Sequence, residues 1–188
     1  MIGDFLNKHI TSQAEFVKAN GYGYGQVEPN HLAAQSTKES YAQLPANKDI
    51  TILENGQFAK YDYAKREVNF TGDGEWLMVW NEVKHYDPRF KALKDFAQIK
   101  TDCVDGIMVP RLMAIKIGDI FTTNTLGANN KSNIAETEAV TVAKGDKLTP
   151  GTNGFLKAVN AETSFILKVV EITTLPDGQD AVKLQRIA

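Results

Sequence analysis

The sequence predicts a mainly β protein, a barrel or sandwich of short antiparallel strands, with a short N-terminal helix and an extended polar arm. Three observations carry this. Residues 163–188 read TSFILKVVEITTLPDGQDAVKLQRIA, two β-rich apolar runs on either side of Leu175-Pro176-Asp177-Gly178. Proline presets φ for the first central turn position, Asp tolerates the next, and Gly accepts the left-handed angle that follows, so this is a hairpin signal. Second, short turns recur between apolar runs: Asn55-Gly56, Gly72-Asp73-Gly74, Asp105-Gly106, Gly118-Asp119, Gly145-Asp146 and Asn153-Gly154. Third, apolar residues make up 43% of the 188, enough for a real core and too many for wholesale disorder.

From the N-terminus, Ile2, Phe5, Leu6, Ile10, Phe16 and Val17 fall on one side at helical spacing. This predicts an amphipathic helix over 2–20, started by Asp4 and stopped by Gly21. A lone helix of this length is marginal in water, so its apolar stripe needs a partner. Gly21-Tyr22-Gly23-Tyr24-Gly25 and a polar stretch to Lys48 follow. Glycines raise chain entropy and supply no core, so 21–48 reads as an arm or long loop. Tyr22, Tyr24 and Tyr41 are amphipathic anchors on it. The glycines are no dinucleotide fingerprint, because no strand precedes them and the spacing is wrong. We therefore take Phe5, Leu6, Phe16, Tyr22, Tyr24 and Tyr41 as the candidate partner-contact residues of an N-terminal unit, 1–48.

A β-rich unit is expected over 49–126. ITIL at 50–53 reads as a strand and Asn55-Gly56 as a turn. In QFAKYDY, Phe58, Lys60 and Asp62 face one way and Ala59, Tyr61 and Tyr63 the other. Ala64-Lys65-Arg66 is a bend and EVNF a return strand. In GEWLMVWNEV, Trp76, Met78 and Trp80 share one face and Leu77 and Val79 the other, which marks a centre of burial. Asp87-Pro88 followed by Phe90, Leu93, Phe96 and Ala97 predicts a short helix over about 88–99. Residues 107–126 are strand-like again, with Pro110 implying an edge, a bulge or a break. Residues 127–138, GANNKSNIAETE, read as a polar linker or loop. Residues 139–188 then give five short strands joined by tight turns, the composition of a small barrel-like domain.

Chemistry is hard to find. The net charge of −2 and the lack of a long basic run argue against nucleic-acid binding. His9, His31 and His85 are far apart, and none has a zinc-motif neighbour, so no metal is expected. Cys103 is the single cysteine, without protease context, and reads as a small hydrophobe. No phosphate-binding loop ends in Gly-Lys-Ser/Thr, and the acidic-Gly turns lack the oxygen set of a calcium loop. Glu75, Glu82, Asp87 and Asp95 are the carboxylates from which a hydrolase pair could be drawn. No signal peptide and no apolar run of membrane-spanning length is read. No catalytic residue, cofactor or metal is expected, and an enzyme is not.

ENGQFAKYDYAKREVNFTGDGEWLMVWNEVKHYDP and VPRLMAIKIGDIFTTNTL resemble small structural proteins of tailed-bacteriophage heads. AVTVAKGDKLTPGTNGFLKAV, with the closing hairpin VKLQRI, resembles the β-domains of head decoration (cement) and auxiliary capsid proteins. The resemblance covers about 45–188 in style, and no motif assigns individual residues. It implies a non-enzymatic virion structural protein that binds the major capsid protein lattice and decorates or stabilises the shell. It also implies a homo-oligomer, a trimer among the options, found on the capsid surface and in the host cytoplasm during assembly. Neither nucleic acid nor membrane is an expected partner. The alternatives are a carbohydrate- or receptor-binding β-module of a phage fibre, using Trp76, Trp80 or exposed tyrosines, and a minor head protein.

Overall fold

The computed structural model describes residues 13–16, 25–27, 40–41, 44–81, 97–127, 140–159, 163–175 and 178–188. Among them the chain is mainly β. The strands are β1 (Gln13–Phe16), β2 (Gly25–Val27), β3 (Ser40–Tyr41), β4 (Ile52–Glu54), β5 (Phe58–Asp62), β6 (Glu67–Asn69), β7 (Leu77–Val79) and β8 (Ala97–Ile99). They continue as β9 (Leu112–Met113), β10 (Ile120–Thr123), β11 (Val140–Ala143), β12 (Lys147–Pro150), β13 (Leu156–Ala158), β14 (Leu167–Thr174) and β15 (Asp180–Arg186). A six-stranded sheet has the order β13-β12-β14-β15-β10-β2, and a five-stranded sheet the order β3-β9-β7-β5-β6. Two ribbons, β1-β11 and β4-β8, complete the set, and all strand pairs are antiparallel.

Side-chain alternation gives the five-stranded sheet two different faces. Phe58, Met78 and Met113 lie opposite one another in register on β5, β7 and β9. All three belong to the main core, with Phe121, Leu148, Leu156, Phe165, Leu167 and Leu184. Their neighbours Ala59, Leu77, Val79 and Leu112 point the other way, into a second core with Leu53, Tyr61, Val68 and Met108. A strand of period two that is apolar on both faces is the signature of a sheet buried on both sides. The alternation read from the sequence at 58–63 and 76–80 is the one found.

The two large sheets meet at a short, well-bonded junction. The Phe58 ring stands edge-on to Phe121 at 5.9 Å and to Phe165 at 5.4 Å, the favoured aromatic geometry. Beside it the Phe58 amide donates to Gly154 O at 2.8 Å, Gln57 Nε2 to Asn153 O at 2.7 Å, and Thr125 Oγ1 to Gly56 O at 2.7 Å. Strands from both sides of the polar stretch 127–138 therefore share one core. The six-stranded sheet also bonds back on itself. After β10 the chain turns, Leu156 N donates to Thr125 O at 3.0 Å, and Gly127 N donates to Leu156 O at 2.8 Å, so β13 is stitched to the far end of β10.

The closing hairpin forms as its sequence predicts. β14 and β15 pair from Leu167↔Arg186 to Thr174↔Asp180, with a bulge between Val169 and Glu171. Gly178 N donates to Leu175 O at 2.9 Å, and Gly178 has φ +90°.

Other expectations need correction. Within the helix expected over 2–20, residues 13–16 are strand β1, paired with β11; the rest lies outside the described residues. Within the helix expected over 88–99, residues 97–99 are strand β8, and 88–96 lie outside the described residues. The cause is tertiary: β4 turns away from β5 at Asn55-Gly56, and its hydrogen bonds are met by 97–99 instead. The expected arm 21–48 contains β2 and β3, which extend the two large sheets of the same chain.

Candidate interaction surface

The loop between β8 and β9 is built to expose apolar side chains on a fixed frame. Two 3-10 turns, Lys100–Asp102 and Val104–Gly106, follow β8. Asp105 (φ +55°) and Gly106 (φ +66°) are both left-handed, so the chain reverses sharply there. The inner side is pinned. Lys100 N donates to Thr51 O at 2.9 Å, Ala46 N to Met108 O at 2.8 Å, and Cys103 Sγ to Ile99 O at 3.3 Å. Met108 is buried in the second core and Cys103 packs against it. The outer side is bare: Val104 is 85% exposed, Ile107 56% and Val109 40%. Period-two alternation from Ile107 to Pro110 produces this, with Met108 and Pro110 inward and Ile107 and Val109 outward. Scattered exposed apolar residues are ordinary, but three within six positions concentrate exposed apolar surface on one anchored loop.

A second apolar pair, Ile117 and Ile187, lies where the 116–119 turn meets the end of β15. Gly118 N donates to Arg186 O at 2.8 Å, and Lys116 N donates to Asp119 Oδ2 at 2.8 Å. Arg186 ties this corner to the rest. It pairs with Glu75, donates to the Ile115 carbonyl, and lies 4.4 Å over the Phe165 ring.

The carboxylates on β5 and β6 are engaged structurally. Asp62 Oδ1 accepts the Lys65 amide at 2.9 Å, and Asp62 Oδ2 accepts Asn69 Nδ2 at 3.1 Å and faces Lys65 Nζ at 3.3 Å. Glu67 Oε1 accepts from Asn47 Nδ2 at 2.7 Å and Asn69 Nδ2 at 3.1 Å. Asn69 Oδ1 takes the amides of Thr71 and Gly72. The Lys65 amide, then the Asn69 amide, holds Asp62 below the ordinary Asp range against the opposing effect of burial. The Asn47 and Asn69 side-chain amides lower Glu67. Carboxylates held ionised mainly by amide donors, with Lys65 beside them, serve to fasten the chain here; they are poor proton donors at neutral pH.

Of the sequence-predicted contact residues, Phe16 lies on β1 opposite Val140 and Tyr41 on β3 opposite Leu112. Phe5, Leu6, Tyr22 and Tyr24 lie outside the described residues, as do His9, His31, His85, Glu82, Asp87 and Asp95. Glu75 is spent on Arg186. Trp76 and Trp80 are half-buried against the main core, and Lys60 Nζ stands 4.9 Å over the Trp76 ring. A sugar stacking there would have to displace that ammonium. Among the described residues no group of three His, Cys, Asp or Glu side chains is placed to hold a metal, and no helix is long and apolar enough to cross a membrane. Val104, Ile107 and Val109 went unread as surface residues. Residues 107–110 are apolar at every position and Val104 precedes the Asp105-Gly106 turn, so the residues alone do not say which of these side chains turn outward. The chain matches no protein-family model, no curated protein and no solved structure.

Proposed function

We propose that the chain is a non-enzymatic virion structural protein that binds the outer shell of a tailed-phage head, stabilising or decorating it. The observation that carries this reading is the apolar patch Val104, Ile107 and Val109, held on a loop anchored to a two-faced sheet. A protein whose work is adhesion needs a stiff body and a preorganised contact surface, because ordering a contact at the moment of binding costs affinity. The sequence resemblance of 45–188 to head decoration and auxiliary capsid proteins supplies the partner: the major capsid protein lattice. Repetition suits a small patch, since linked copies on a lattice turn a weak contact into a durable one.

The test is co-sedimentation of the purified chain with heads, or with shells assembled from the major capsid protein, of the phage that encodes it. Saturable binding is expected. Val104→Asp with Ile107→Ser should lower occupancy at least about tenfold, the equivalent of about 1.4 kcal/mol of contact energy, while the melting temperature stays within a degree or two. A chain that does not pellet with shells, or a double variant that binds as well as the parent, would refute the reading.

A further inference from the structure

We infer that the outer face of the six-stranded sheet is a cationic docking surface for an acidic patch on another protein. The inference is independent of the capsid reading. It rests on where the strand register places the lysines. Lys147 on β12 lies directly opposite Lys168 on β14. Lys157 on β13 lies opposite Thr149, two positions along β12 from Lys147 and so on the same face. Lys168 lies opposite Gln185, and Lys183, two positions before Gln185, lies opposite Glu171. Alternation sends the residues between them inward, and Leu148, Leu167 and Leu184 join the main core. Lys147, Lys157 and Lys168 are exposed. Lys183 pairs with Glu171 at 3.5 Å, and Asp146, next to Lys147, turns its carboxylate back to accept the Ala143 amide at 2.8 Å. The ion pairs formed among the described residues leave Lys147, Lys157 and Lys168 out.

The arrangement works against stability. Like charges directly opposite on neighbouring strands repel, and Lys147 meets Lys168 in that way. Three ammonium groups whose backbones stand roughly 5–12 Å apart raise a local positive field on a chain whose net charge is −2. No basic run announces it, because the lysines come from three strands and only the register gathers them. The contrast between patch and whole selects the occupant. Salt confines electrostatic attraction to about 8 Å at physiological ionic strength, so a compact acidic patch senses the lysines alone. A long polyanion such as a DNA duplex reaches past the patch and meets the net acidic remainder of the chain. The face also offers no aromatic ring for a base to stack on: beside the lysines, β10, β14 and β15 place Ile120, Thr122, Glu171 and Gln185 there. The main core and the five-stranded sheet separate this face from the loop of Val104, Ile107 and Val109, whose Met108 is in the second core. One surface is charged, the other apolar, and they point in opposite directions, so both can be occupied at once.

Fluorescence anisotropy of a labelled decaglutamate peptide, with a short DNA duplex beside it, tests the assignment on the full chain. Expected is saturable peptide binding at low salt that is lost at about 0.5 M salt. Lys147→Glu with Lys168→Glu should weaken it at least about tenfold. Lys48→Glu with Arg66→Glu makes the same change of net charge at exposed positions beside β4 and β6, and should weaken it less than about threefold. Equal losses in the two double variants, or no binding by the parent, overturn the proposal. A duplex that binds through Lys147 and Lys168 more tightly than the peptide also overturns it, and makes nucleic acid the partner. Lys168→Gln gives a separate reading, since it relieves the repulsion with one mild change. It should raise the melting temperature at low salt by roughly 1–3 °C while weakening peptide binding. A fall in melting temperature would show that Lys168 serves to hold the sheet together, and would overturn the docking role.

Discussion

Gly154 is where a single hydrogen atom in place of a side chain decides whether two sheets can touch. It sits at φ +78°, and a Cβ there would run into the Phe58 carbonyl, whose own amide bonds Gly154 O. Gly145 has an equally left-handed φ of +98° but open space where its Cβ would go. The pair separates backbone strain from collision. Gly145→Ala should cost about 1 kcal/mol, the usual penalty for a left-handed alanine. Gly154→Ala should cost at least about 3 kcal/mol, because the clash is with backbone that cannot rotate away. Urea midpoints of the two variants measure the difference, and equal shifts would show that the junction can open without loss. Asn153-Gly154 was legible as a turn; that its glycine meets a carbonyl almost a hundred positions earlier was not, because turn chemistry is local and close approach is not.

The β5–β6 hairpin makes its own prediction about acid. Asp62 and Glu67 are both held below their ordinary values of 3.8 and 4.5 by amide donors. A carboxylate whose folded value is depressed contributes stability that is complete above its unfolded value and is lost as pH falls through the folded one. The melting temperature should therefore be flat near neutrality and decline as pH falls below about 4.5, the higher of the two unfolded values. Asn69→Ala removes a donor shared by both acids and should flatten that decline while lowering the neutral-pH melting temperature. Parallel curves for parent and variant would mean that the two carboxylates do not sense the amide. At this scale the sequence was most readable where pairing is local. The 165–187 hairpin and the two-faced pattern of 76–80 follow from turn residues and alternation. The strand at 97–99 hid inside a helical pattern, since Phe90, Leu93, Phe96 and Ala97 satisfy that period while the partner that claims Ala97, Gln98 and Ile99 lies more than forty residues upstream.

For the whole molecule, the shared core makes a claim about cooperativity. Phe58, Met78 and Phe121 sit in one apolar cluster with Leu148, Leu167 and Leu184, across the stretch 127–138 that composition marks as a linker. Unfolding should be a single transition, with tryptophan fluorescence from Trp76 and Trp80 coinciding with far-ultraviolet circular dichroism. Leu184→Ala, in the fully buried centre of the six-stranded sheet, should cost about 2–5 kcal/mol and shift both signals together. A tryptophan transition left in place would show that the two sheets melt separately. Strand content and turn positions were visible in the residues alone. The shared core was not, because nothing in a strand's composition says which distant strand it will meet.

The placement of β15 between β14 and β10 has a consequence for biosynthesis. The ribosome makes β10 first and reaches Asp180 only fifty-seven positions after Thr123, roughly 3–11 s later at ordinary elongation speeds. Through that interval β10 lacks the strand that will cover one of its sides. β2, already translated, is at hand to cover the other, so the nascent chain waits with one open edge on β10 rather than two.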